Sequence, residues 1–289
     1  MRVAITGAAG LLGYALARVF GERHEVVPLT RAEADITKED ELRLALGEIQ
    51  PDVVVHSAAI ADLDVCEINP ELAHAVNAEG TRNIAEAARD VDAGVAYIST
   101  DAVFDGNKRT PYTEDEHPNP PTVYGLTKAL GELFVRAVAR HWIFRLSVLF
   151  GPGKTNFVER CLRKIAAGEE CIVASDQVGS ATYTLDAARV IREVVETQRF
   201  GIFHLANQGV CTRYELARRT AELARLDAGK VIGNALEEMK RTAKRLKYAV
   251  MQMDALSRGG VALPRHWEEA LEEYVASIEG TGIPGGRQS

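Results

Sequence analysis

Residues 1–13 read MRVAITGAAGLLG. Val3-Ala4-Ile5 is a short apolar run of β type, and Gly7, Gly10 and Gly13 follow at three-residue spacing. A helical pattern then begins, with Leu11, Leu12, Ala15, Leu16, Val19 and Phe20 recurring at steps of three and four. A strand, a glycine turn and a helix in that order make a phosphate-binding element. Glycine turns the backbone tightly and lets a pyrophosphate approach with no Cβ in the way. The helix start offers unpaired N–H groups and partial positive charge. Gly7, Gly10, Leu11, Leu12 and Gly13 are the residues placed to receive such an anion.

Beyond that helix, residues 25–29 (EVVPL) read as a second strand ending at Thr30-Arg31. In a dinucleotide fold the residue just past this strand meets the adenosine ribose. An acid there suits the 2′-hydroxyl of NAD, and an arginine suits a 2′-phosphate. Arg31 therefore leans towards NADPH, with NADH the alternative. Thr37 and the acids behind it suggest a helix start, and Pro51 stops that helix. Residues 52–56 (DVVVH) are nearly all apolar, as a parallel strand covered on both faces should be. The small residues Ser57-Ala58-Ala59 fit backbone passing close under a cofactor, or simply a tight strand-to-helix turn. A long helix follows from Pro70 with Asn77 in its middle, a poor helix former whose side chain should have a job. The strand at 94–99 continues the alternation of a doubly wound parallel α/β sheet of Rossmann type.

That strand ends in Ser99-Thr100-Asp101. Ligands bind beyond the carboxyl ends of strands in such sheets, so Thr100 and Asp101 face a site. After a loop rich in Pro, Gly, Asn and Asp comes YGLTK, with Tyr124 and Lys128 one helical turn apart. A phenol is a poor proton donor or acceptor at neutral pH, and an ammonium beside it should lower its pKa. Lys128 can also hold a nicotinamide ribose, and Thr100 can offer a second hydrogen bond to a substrate oxygen.

Bulk properties bound the rest. A chain of 289 residues can bury a full core. Its net charge of −7 and the lack of a long Lys/Arg block argue against nucleic acid as a partner. The basic cluster at 240–247 suits a phosphorylated small ligand or a solvated helix face. No apolar run is long enough to span a membrane, and the N-terminus enters a strand at once. Cys66, Cys161, Cys171 and Cys211 form no C-x-x-C pair and read as reduced thiols, so a cytoplasmic protein is expected. The scattered histidines indicate no metal site.

The G-x-x-G-x-x-G opening resembles extended short-chain dehydrogenase/reductases. STDAVFDG (99–106), VYGLTK (123–128), IFRLS (143–147), Asn156-Phe157, DQVG (176–179), GIFHLA (201–206), AKR (243–245) and WEEAL (267–271) resemble the dTDP-4-dehydrorhamnose reductase family. The resemblance spans the chain to about residue 278. It implies a Rossmann domain over 1–150, part of 180–200 packing back on it, and a smaller C-terminal substrate-binding domain over 151–279. The Gly-rich tail 280–289 is expected to be mobile.

The resemblance further implies hydride delivery from NADPH to the ketone of a dTDP-4-keto-6-deoxy sugar, by a monomer or homodimer. Thr100, Tyr124 and Lys128 match the catalytic triad, and Asp35-Ile36 the pair that contacts adenine. Asn77 and Gly80 match a pair that orders the central strands. Asn156, Gln177 and Arg245 match residues that handle the nucleotide-sugar. Val148 stands where the family often has Trp. Leu246, Ala249 and Met251 replace Pro, Ser and Leu of the usual motif, and Leu185 replaces a Mg²⁺-binding glutamate, so no metal is expected. Besides another nucleotide-sugar reductase, two other functions share this fold: an epimerase or dehydratase that retains NAD⁺, and a regulatory subunit like that of methionine adenosyltransferase. Arg31 argues against the first, and the Thr100/Tyr124/Lys128 set against the second.

Overall fold

The computed structural model describes residues 1–279; the expectation about the tail 280–289 lies outside them. Six strands form the central sheet: β1 (Arg2–Thr6), β2 (Glu25–Leu29), β3 (Val53–His56), β4 (Gly94–Thr100), β5 (His141–Leu146) and β6 (Gly201–Leu205). All pair in parallel, in the order β2-β1-β3-β4-β5-β6. β3 and β4 are buried along their whole length, which explains their unbroken apolar character. The order reverses between β1 and β3, which opens a crevice at their carboxyl ends.

The longer helices are α1 (Leu11–Phe20), α2 (Glu39–Ile49), α3 (Gly80–Asp90), α4 (Val123–Arg136), α5 (Phe157–Ala166), α6 (Thr184–Glu196), α7 (Arg213–Leu223) and α8 (Trp267–Glu279). Leu12, Ala15, Leu16, Val19 and Phe20 bury the apolar stripe of α1, and α6 packs along that helix. Arg192 of α6 clamps the pair by donating to the Val19 carbonyl (2.7 Å) and to Glu22 (2.7 Å). Leu185, at the start of α6, lies in the main core, where a carboxylate would be desolvated.

The C-terminal half is less separate than a two-domain reading suggests. β6 comes from beyond residue 150, outside the 180–200 return as well, and completes the central sheet. Trp267, Leu271, Tyr274 and Val275 of α8 join the main core. A smaller core of Cys161, Ile165, Cys171, Val173, Ala217, Ala221 and Val231 binds α5 and α7 to the strands Cys171–Ala174 and Val231–Asn234. A further small sheet has Val178–Gly179 at its centre, with Cys211–Thr212 antiparallel on one side and Tyr248–Ala249 parallel on the other. No helix among the described residues is long and apolar enough to cross a membrane.

Candidate active site

The end of β4 and the start of α4 meet through glycine. Thr122 caps α4, its hydroxyl accepting from the Gly125 N–H at 3.1 Å. A Cβ on Gly125 would run into the Ala102 carbonyl, so only glycine lets this turn press on residues 101–103. That contact sets Tyr124 beside Thr100. The Thr100 hydroxyl donates to Asp101 Oδ1 (3.0 Å) and accepts from the Ala102 N–H (3.1 Å). Ser147, just past β5, donates to Asp101 Oδ2 at 2.5 Å. Burial pushes the Asp101 carboxyl above its ordinary range, against these hydrogen bonds.

The four-residue spacing predicts that Lys128 lowers the Tyr124 phenol. The structure reverses that direction: burial holds the phenol above its usual value, the nearby Asp101 and Cys66 adding to this, while a hydrogen bond with Thr100 pulls it back. Lys128 is only 2% exposed. Burial draws its ammonium down to about 7, opposed by Glu132 one turn further on. Lys128 Nζ sits 4.0 Å from the centroid of the Tyr97 ring, a cation–π contact that holds the side chain in place. At neutral pH the phenol is therefore protonated, the form that can give up a proton.

Buried polar chains fix these parts. His56, at the end of β3, joins Thr6 Oγ1 at Nδ1 (2.7 Å) and Thr81 Oγ1 at Nε2 (3.0 Å). Thr81 already donates to the Asn77 carbonyl (2.7 Å), so it accepts from His56 and Nε2 carries the proton. Burial, then the Lys128 charge, holds His56 neutral down to about 3. Asn77 lies in a π-type stretch, His74–Glu79. Its Oδ1 accepts from the Ile60 N–H (2.8 Å), and its Nδ2 donates to the Ile60 carbonyl (3.0 Å) and Thr127 (3.3 Å). Asn77 thus pins the loop after β3 to the helix that carries Tyr124. Beneath Lys128 lies a second network: Arg145 grips Glu132 through Nε (2.9 Å) and Nη2 (2.8 Å), and Ser99 donates to Glu132 at 2.6 Å.

A cradle lies at the switch point between β1 and β3. Gly7 takes φ +68°, and a Cβ there would stand 2.7 Å from the Ala58 nitrogen. α1 begins after Gly10 with no side-chain cap, so the N–H groups of its first turn, including those of Leu11, Leu12 and Gly13, are available to an anion. Ala58 and Ala59 lie beside it, only partly exposed. Arg31 is 84% exposed at its side chain, tethered only to Asp35 (3.1 Å). Asp35 is held below the usual carboxylate range by Thr37 first and Arg31 last. Ile36 is buried against Gly80. This cradle and its exposed arginine fit an adenine dinucleotide carrying a 2′-phosphate.

The residues matched to the nucleotide-sugar fall differently. Asn156 is committed elsewhere: its Oδ1 caps α5 through the Val158 N–H (3.0 Å), and its Nδ2 donates to the Gly151 carbonyl (2.9 Å) and the Tyr274 hydroxyl (2.7 Å). With 4% exposure it has a structural job in place of the expected substrate contact. An asparagine just before an amphipathic helix is itself a cap signal. Gln177 lies half-buried beside the small sheet. Arg245 is bidentate to Asp64 (3.1 and 2.8 Å) and also donates to the Ala243 carbonyl (2.8 Å). Val148 takes φ +27°, a left-handed turn rare for a β-branched residue, and packs on the main core. No group of three or more His, Cys, Asp or Glu that could hold a metal occurs among the described residues.

A parallel sheet with a glycine cradle at its switch point, Thr100 at the end of β4, and Tyr124 and Lys128 on the helix beside it is the architecture of a short-chain dehydrogenase/reductase of the extended type. The sequence matches the RmlD substrate binding domain family over residues 1–279. The chain belongs to that family, the dTDP-4-dehydrorhamnose reductases. It is 38% identical to dTDP-4-dehydrorhamnose reductase of Mycolicibacterium smegmatis, over 98% of this chain and 88% of that one. The crystal structure of dTDP-4-dehydrorhamnose reductase from Bacillus anthracis in complex with NADP is 35% identical, with a TM-score of 0.92 over 96% of this chain and 99% of that one. UDP-glucose 4-epimerase of Thermus thermophilus, at 21% identity, shares the fold (TM-score 0.84, 97% and 99% covered).

Proposed function

We propose that this protein is an NADPH-dependent reductase that converts the C4 ketone of dTDP-4-dehydro-L-rhamnose to the alcohol of dTDP-L-rhamnose. The observation that carries the reading is Tyr124 beside Thr100 at the carboxyl end of β4, with Lys128 one turn along the helix that holds Tyr124. Gly7, Gly10, Leu11, Leu12 and Gly13 would hold the dinucleotide's diphosphate, Arg31 its 2′-phosphate, Asp35 and Ile36 its adenine end, and Ala58 and Ala59 its passage across the crevice. NADPH, when bound, supplies the hydride.

The chain's own residues handle the proton. Tyr124, kept neutral by burial, gives its phenolic proton to the sugar oxygen as negative charge develops there. Thr100 turns its hydroxyl from Asp101 to the same oxygen and adds a second hydrogen bond. Lys128 steadies the phenolate that remains and reaches the nicotinamide ribose. Asp101, held by Ser147, borders the sugar. Four unpaired buried cysteines suit a reducing compartment, so we place the enzyme in the cytoplasm, working as a monomer or homodimer.

The test is NADPH oxidation, followed by absorbance, with the keto-sugar generated from its precursors in the cuvette. Oxidation coupled to dTDP-L-rhamnose formation is expected. NADPH binding without oxidation would overturn the assignment of substrate. Arg31 gives a separate check on the cofactor. Arg31→Ala should weaken NADPH about tenfold, a loss on the order of 1.4 kcal/mol, and leave NADH nearly unchanged; equal loss for both would remove the 2′-phosphate contact.

A further inference from the structure

Arg213 is the cation whose surroundings the mechanism above does not explain. It is the first residue of α7, inside the Thr212–Glu215 capping box. A positive side chain in the first turn of a helix opposes the helix dipole. Its guanidinium lies over the Phe157 ring, 5.2 Å from the centroid, and is only partly exposed. No ion pair among the described residues includes Arg213, nor does its side chain donate to a carbonyl. Asp101 lies within electrostatic reach, and so does a like charge, Arg245. Burial draws the Arg213 pKa below its ordinary value, the sign of a cation held where water does not fully solvate it.

The topology says what this cation faces. The Arg213 N–H donates to the Gln177 carbonyl at 3.3 Å, so Arg213 is tied to the start of the strand Val178–Gly179. On the other edge of that strand run Lys247 and Tyr248, two and three residues past Arg245. The same strand touches the catalytic end of the sheet: a Cβ on Gly179 would rest 3.8 Å from Ser147 Oγ, the group that holds Asp101. Arg213, Gln177 and Arg245 therefore gather around one small sheet, one step removed from Thr100 and Asp101. Arg245 is already neutralised by Asp64, whereas Arg213 has no carboxylate in contact.

We propose that Arg213 is the principal receptor for the diphosphate of the nucleotide-sugar, with Arg245 in a supporting place. The inference rests on the nucleotide-sugar reading above and adds to it a residue that carries the anion. A diphosphate would match the unpaired guanidinium, relieve its repulsion with Arg245 and add favourable charge at the start of α7. It leaves the Arg245–Asp64 pair intact. The ring of Phe157 holds the guanidinium plane in readiness without competing for its N–H donors.

The test compares wild type, Arg213→Met and Arg213→Lys by calorimetric titration with dTDP, UDP, thymidine and NADPH. Methionine keeps an apolar stem over Phe157 and removes the charge. Arg213→Met should lose tenfold to a hundredfold in affinity for dTDP and UDP while NADPH affinity stays put, and lysine should restore part of the loss. In turnover the loss should appear in KM for the sugar substrate far more than in kcat. Unchanged dTDP affinity in Arg213→Met would overturn the proposal, as would wild type that binds neither diphosphate. A parallel loss of NADPH binding would also overturn it, by showing a structural role. Arg213-dependent dTDP binding in a wild type that reduces no keto-sugar would sustain this inference and defeat the proposed reaction instead.

Discussion

Tyr124→Phe is expected to cut turnover by a factor of about 10² to 10⁴, the usual worth of a positioned acid, while NADPH affinity stays near wild type. The change deletes one oxygen and nothing that supports the fold. The phenol's polar link is to Thr100, whose hydroxyl keeps its bonds to Asp101 and the Ala102 N–H. The helix start is set by Thr122 and by Glu67, which accepts from the Val123 N–H at 3.1 Å, so the backbone at position 124 should not move. Steady-state NADPH oxidation and cofactor titration on the same preparation make the check. Turnover within a few-fold of wild type would remove Tyr124 from the acid role and turn attention to Thr100.

Glu132→Gln should be the most damaging single change to stability outside the core hydrocarbons. Arg145 is fully buried and Glu132 1% exposed, and they meet through two hydrogen bonds. Ser99 of β4 donates to the same carboxylate, and Arg145 approaches His204 of β6 at 3.5 Å, so one pair joins α4, β4, β5 and β6. Glutamine keeps the shape but leaves a buried guanidinium without its counter-charge, which costs about 3–5 kcal/mol. Thermal unfolding should fall by roughly 10 °C in a chain of this size. A loss under about 1 kcal/mol would show that water already reaches the pair.

The double change Glu132→Leu with Arg145→Met should recover most of that stability, since both charges then leave together. It should not recover activity in full. Glu132 is the group that raises the Lys128 ammonium against burial. Without it, less of Lys128 is charged at neutral pH, and turnover should decline even in a well-folded double variant.

What was legible in the sequence was local in the sequence. The glycine spacing at Gly7, Gly10 and Gly13, the apolar strands and the Tyr124–Lys128 turn each declare themselves within a few residues, because backbone conformation and helical pitch fix them. Asn77 was legible too, since an asparagine inside a helix needs a partner, and it has Ile60 and Thr127. What stayed hidden joins distant segments. Glu132 and Arg145 read as ordinary charges on a helix and a strand, and only the sheet order brings Ser99 and His204 to them. Arg213 reads as part of a capping sequence, because its lack of a carboxylate partner is a property of the fold. The direction of the Tyr124 phenol is not legible from spacing, which reveals a neighbouring charge and says nothing of burial.

The place of β6 has a consequence during synthesis. β5 offers Trp142, Ile143, Phe144 and Leu146, all buried in the finished protein, and one of its edges is closed only by residues 201–205. At translation rates of about 5–20 residues per second, that edge waits roughly 3–12 s for its partner to leave the ribosome. An apolar strand with an open edge is a template for wrong pairing. The nascent chain should therefore be most dependent on chaperones in that interval, and fragments ending near residue 150 should aggregate instead of yielding a free nucleotide-binding module.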